Sequence, residues 1–96
     1  MEKYQGVDYF DVGTKFAELV RECLSDSEYK EMCRLNASET DPNICHSHDY
    51  CDANVLMADA MAEFDLPEMS QESCDDFIAF WNTAWDYAKI KYFCGE

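Results

Sequence analysis

From Thr14 onward, apolar residues recur at three- and four-residue intervals, the period of helices that bury one side. Phe16, Leu19, Val20 and Cys23 make the first stripe, widened by Leu24, with Thr14 as the expected N-cap. Ser25 followed three residues later by Glu28 has the form of a capping box, so a second helix is expected from Ser25 or Asp26. Tyr29, Met32, Cys33 and Asn36 define its inner side, and Asp41-Pro42 closes the region, since proline biases its predecessor away from helix. After a polar loop over 37–47, a third helix is predicted from Asp49 to Phe64. Val55, Ala58 and Ala62 lie on one side of it, extended by Met57, Ala60, Met61 and Phe64. Asp65-Leu66-Pro67 ends this helix. A fourth follows over about 74–92, capped by Ser73 and closed near Gly95, with Phe77, Trp81, Trp85 and Ala88 as its principal stripe and Ile78, Phe80, Ala84 and Tyr92 beside it. Residues 1–10 place Tyr4, Val7, Tyr9 and Phe10 around Gly6 and read as a short arm or strand.

The pattern predicts one mainly α domain over residues 1–96, a compact bundle of about four helices with a short N-terminal arm. With 96 residues and fourteen Phe, Tyr or Trp, the chain has material for one packed core. No repeat, linker or low-complexity segment divides it. The first ten residues lack the apolar run of a signal peptide, and no stretch nears the roughly 18 apolar residues that span a bilayer. A cytoplasmic protein without membrane association is therefore expected. In a reducing compartment, Cys23, Cys33, Cys45, Cys51, Cys74 and Cys94 are expected as mostly free thiols, packed as small hydrophobes.

Charge sharpens the picture. The formal net charge is −14, and between Leu35 and Ala88 there is no Lys or Arg while there are twelve acids, so this tract carries −12 of the total. Lys3, Lys15, Arg21, Lys30, Arg34, Lys89 and Lys91 sit towards the ends. Such a tract repels nucleic acid and anionic membranes and attracts a basic protein surface. Asp52, Asp59 and Glu63 share one helical stripe, which Asp49, Asp75 and Asp76 extend; these six acids, with Tyr87 off the principal aromatic stripe, are the candidate partner-binding residues. Phe80 is a further candidate for contact.

Cys45, His46, His48 and Cys51 supply a second candidate site, because zinc favours Cys and His ligands. His48 and Cys51 stand three apart and can reach one ion, but no CxxC and no second ligand pair at finger-like spacing is present. The alternative is a helix N-terminus capped by Ser47 or Asp49, with a histidine bonded to a neighbour. No cofactor is expected other than such a zinc ion. A Cys–His nucleophile, from Cys45 or Cys51 with His46 or His48, lacks a third orienting group, and three glycines make no phosphate loop; enzymatic activity is not expected.

Cys45-His46-Ser47-His48-Asp49-Tyr50-Cys51-Asp52-Ala53-Asn54, followed by Trp81-Asn82-Thr83-Ala84-Trp85-Asp86-Tyr87-Ala88-Lys89, resembles small uncharacterised proteins of bacteriophages and mobile elements that read S-H-D-F-C-D-A-N and W-N-A-A-W-D-x-A-K. The likeness covers roughly residues 45–92 and brings no established activity. It implies a phage setting, in which small acidic proteins are similar to anti-CRISPR and other anti-defence inhibitors. The expected function is thus an acidic nucleic-acid mimic that blocks a basic, nucleic-acid-binding surface of a host protein, in the host cytoplasm. A zinc-stabilised module is the alternative, and a homo-oligomer is compatible with either.

Overall fold

The computed structural model describes residues 2–67 and 74–94. Strands β1 (Lys3–Tyr4) and β2 (Val7–Asp8) form an antiparallel hairpin in which Lys3 faces Asp8 and Tyr4 faces Val7. Its turn places Gln5 at φ 49° and Gly6 at φ 82°, the left-handed pair that a two-residue hairpin requires. The arm of the sequence reading is this hairpin, and Tyr4 fixes it by packing its ring on Phe77 at 5.3 Å and Phe80 at 6.0 Å.

Helix α1 (Tyr9–Cys23) starts directly after the hairpin, five residues before the expected cap at Thr14. The cap is Asp8, whose carboxylate accepts the Phe10 amide at 3.0 Å. Thr14 and Gly13 lie inside the helix, and Gly13 is there because helix α4 crosses close by. A Cβ at Gly13 would stand 2.9 Å from the Ala84 carbonyl oxygen. Val12, Phe16, Ala17 and Val20 form the buried side of α1. Helix α2 (Asp26–Ser38) begins with the expected reciprocal box: Ser25 accepts the Glu28 amide and the Glu28 carboxylate accepts the Ser25 amide. Met32, Cys33 and Asn36 are its buried residues.

The third predicted helix is divided. His46–Asp49 forms a single 3-10 turn, and helix α3 (Ala53–Ala62) starts only after Asp52, which caps it by accepting the Val55 amide. Neither Ser47 nor Asp49 is the cap. Aspartate at residue 52 offers the backbone an N-cap and so ends the preceding turn. The inner face of α3 is Ala53, Met57, Ala60 and Met61; Val55 is 52 % exposed and Ala62 also faces solvent, which corrects the expected stripe. The helix ends where expected. Asp65 adopts φ 59°, its amide bonds to the Ala62 carbonyl and that of Leu66 to the Met61 carbonyl, the paired bonds of a Schellman ending.

Helix α4 (Asp75–Ala88) is preceded by Cys74 at its N-cap position, and the chain continues as a π-helical turn over Lys89–Phe93. The expected caps Ser73 and Gly95 lie outside the described residues. Phe77, Trp81, Trp85 and Ala88 are buried as expected, and Phe80 joins them at 0 % exposure, so it is core and not a contact residue. The turn over Lys89–Phe93 delivers Phe93 to the core, where it meets Phe16 at 5.7 Å, and presents the Tyr92 carbonyl to the Tyr29 hydroxyl at 3.1 Å. Helices α3 and α4 both pack on α1, while α2 packs on the 3-10 turn and the π-helical turn. The fold is mainly helical, with one small two-stranded sheet.

Candidate functional site

Most of the described acids of the basic-free tract are solvent-facing. Asp49, Asp52, Asp59, Glu63, Asp75, Asp76 and Asp86 are all exposed. Three of the five basic side chains of the N-terminal half are used locally: Lys15 pairs with Glu18 at 3.9 Å, Arg21 with Asp26 at 2.7 Å and Arg34 with Glu31. Lys89 instead donates to the main-chain oxygens of Pro42, at 3.3 Å, and Ile44. Among the described residues, no ion pair engages Asp52, Asp59, Glu63, Asp75, Asp76 or Asp86.

These candidates fall into separate groups. Asp59 lies on α3 and Glu63 is its C-cap residue one turn further on, with Asp52 at the start of the helix and partly committed to capping. Asp75 and Asp76 occupy the first turn of α4, where negative charge meets the positive end of the helix dipole. Tyr87 lies eleven residues beyond Asp76, about 16 Å along the helix axis at 1.5 Å per residue. Its ring is packed within the molecule, at 5.4 Å from Tyr9, 5.3 Å from Phe10 and 6.2 Å from Tyr92. It packs against the N-terminal end of α1, at the other end of α4 from Asp75 and Asp76.

Asp49 belongs to a different arrangement centred on His46. The imidazole Nδ1 lies 2.7 Å from Asp49 Oδ2 and Nε2 lies 2.7 Å from Glu39 Oε1. Two carboxylates accept and cannot donate, so the imidazolium, with a proton on each nitrogen, is the form that satisfies both. The bonds to Asp49 and then Glu39 accordingly raise the His46 pKa above its ordinary value, and the bond from His46 lowers that of Glu39. The His46 amide also donates to Asn36 Oδ1 at 2.7 Å. The 3-10 turn is thereby clamped to the end of α2.

The remaining metal candidates are turned to other partners. Cys45 Sγ is buried 3.2 Å from Ser47 Oγ, and Cys51 donates to the Ser47 carbonyl at 3.3 Å. Burial pushes the Cys51 thiol up to about 11, which keeps it protonated and a poor nucleophile near neutral pH. His48 stacks on Trp85. Among the described residues, no group of three or more His, Cys, Asp or Glu side chains is arranged to hold a metal ion. No disulfide joins any of the six cysteines, all of which lie among the described residues.

What the sequence pattern did not reveal is that the two motif segments meet. They line one cavity of about 380 Å³, to which the first contributes Cys45, His48 and Asn54 and the second Trp81, Asn82, Trp85, Asp86 and Lys89. Trp81, Trp85 and Asn82, Asp86 are two i, i+4 pairs on neighbouring stripes of α4, so one short stretch of helix presents aromatic and polar groups side by side. That spacing was the available signal; the meeting with residues 45–54 is tertiary. No helix among the described residues is long and apolar enough to cross a membrane. No family model matches the chain, and no curated protein or solved structure matches it.

Proposed function

We propose that the protein is an acidic interaction module that binds a basic, nucleic-acid-binding surface of a host protein and blocks it as a nucleic-acid mimic. The observation that carries this reading is the set of exposed carboxylates on α3 and α4 without ion-pair partners among the described residues. Leaving such charges uncompensated costs stability through mutual repulsion, and an external cationic surface relieves it. Asp59 and Glu63, four residues apart on a helix, hold their Cβ atoms about 5–6 Å apart, a spacing comparable with that of backbone phosphates. The resemblance of residues 45–92 to small phage proteins supports a setting in which the blocked surface belongs to a host defence protein.

Capture from a bacterial lysate on the immobilised protein at low salt, with identification of what is retained, tests this. The proposal expects a basic nucleic-acid-binding protein that added nucleic acid displaces and high salt releases. Retained proteins that nucleic acid does not displace would overturn it.

A further inference from the structure

The acidic groups of α3 and α4 account for attraction to a basic surface but leave the cavity between the two motif segments unused. Three features of that cavity point to one chemistry. Its floor includes the edges of two largely buried indoles, Trp81 at 7 % and Trp85 at 8 % exposure, whose ring centroids stand 6.3 Å apart, and His48 lies on Trp85. Its anionic group is Asp86, exposed and without an ion pair among the described residues. Its other polar residues include Asn54 and Asn82, whose amide oxygens accept hydrogen bonds. The cation nearest in sequence, Lys89, also borders the cavity, but its ammonium donates to the Pro42 and Ile44 carbonyls and does not pair with Asp86.

We infer that this cavity receives one arginine side chain of the basic partner, with the guanidinium bonded to Asp86 and to the amide oxygens of Asn54 and Asn82 above the exposed indole edges. The inference rests on the proposed function, which supplies a partner rich in arginine and lysine. A guanidinium is planar, carries only donors in a fixed fork and is weakly hydrated, so it can bond the carboxylate and the amide oxygens together. An ammonium is a more strongly hydrated point charge without that fork. An anion is opposed both by Asp86 and by the net charge of −14. The volume of about 380 Å³ lies at the small end of ligand sites, enough for one side chain and its approach. The anchor would fix the register of an encounter that the acids on α3 and α4 bring about.

The test is titration of the ¹⁵N-labelled protein with N-acetyl-arginine methylamide, its lysine analogue and its uncharged citrulline isostere, followed by two-dimensional NMR. The arginine probe is expected to shift the Trp81 and Trp85 indole signals and the Asn54 and Asn82 side-chain amides, the lysine probe less, and the citrulline probe not at all. Asp86→Asn, an exposed substitution, should weaken the arginine response about fivefold, the scale of one partly screened ion pair. Asn54→Asp, which adds a carboxylate in the first turn of α3, should strengthen it. Equal response to citrulline, shifts confined to residues outside the cavity, or an arginine response that neither variant changes would overturn the anchor. Failure here with salt-sensitive capture of a basic protein intact removes only the anchor. A normal arginine response without such capture removes the proposed partner and leaves a guanidinium site.

Discussion

The imidazole of His48 lies on the indole of Trp85, with ring centroids 5.0 Å apart and planes 16° apart. The contact joins the 3-10 turn to α4, two elements that share no backbone continuity, and it forms one side of the cavity between the motif segments. Aromatic pairs of this kind add about 0.5–1.5 kcal/mol beyond area burial. His48→Ala is therefore expected to lower stability by about that amount in urea unfolding, and His48→Phe to restore most of it. Equal stability of the alanine variant and the unmodified protein would show that the stack contributes nothing.

Gly13 makes a prediction in which two effects oppose. Alanine is favoured over glycine within a helix by roughly 1 kcal/mol. Against this, the new Cβ would meet Tyr87 Cδ2 at 2.8 Å and the Ala84 carbonyl oxygen at 2.9 Å. The main-chain oxygen cannot swing aside, so α1 and α4 must separate, and such overpacking costs about 1–3 kcal/mol. Gly13→Ala should thus destabilise, read as a lower Tm, whereas Gly6→Ala strains only the turn, where nothing stands within 4 Å of the added carbon. A rise in Tm for Gly13→Ala would contradict the close crossing.

The His46 clamp predicts a pH window. His46 titrates above its ordinary 6.5, so its contribution is complete below that value and is lost as pH rises through the elevated pKa. Glu39 titrates below its ordinary 4.5, so its contribution is complete above that value and is lost as pH falls. The clamp is strongest between these two limits. Melting curves across pH 4 to 9 should show His46→Gln differing most from the unmodified protein near pH 5 to 6, with the difference shrinking on either side. A difference that is constant with pH would mean that His46 acts through packing alone.

Thiol reactivity should follow exposure. Cys23 and Cys74 are exposed, Cys33 and Cys45 are buried, and Cys51 is held protonated by burial with a pKa of about 11. Brief alkylation at pH 8 followed by peptide mass spectrometry is expected to label Cys23 and Cys74 first and Cys51 late. Early labelling of Cys51 would reveal an activated thiol and reopen the nucleophile reading.

Local signals were legible where one residue fixes one bond. Ser25 and Glu28 predicted the start of α2, and Asp65-Leu66-Pro67 the end of α3, because caps are made within a few residues. The start of α1 was not legible, since Gly13-Thr14 looks like a boundary until the closeness of Ala84 explains the glycine. In α3, apolar residues occur on nearly every side, so periodicity could not tell the Met57 face from the Val55 face. His46 and Asp49 are three apart and readable as a pair, but Glu39 and Asn36 reach the same histidine only because α2 folds back on the turn. The cavity depends on the meeting of residues 45–54 with α4, which no spacing within either segment encodes.

The most direct measurement compares the unmodified protein with a variant carrying Asp52→Asn, Asp59→Asn, Glu63→Gln, Asp75→Asn and Asp76→Asn, which keeps Asp86 and the cavity. Affinity for the retained basic protein is read from low salt to about 1 M, where the screening length shrinks to about 3 Å. At about 0.2–1 kcal/mol each, the five charges together carry about 1–5 kcal/mol. The unmodified protein should therefore bind about fivefold or more tightly than the variant at low salt, with the two converging as salt rises. Equal affinities at every salt concentration would contradict the claim that this uncompensated charge makes the binding surface.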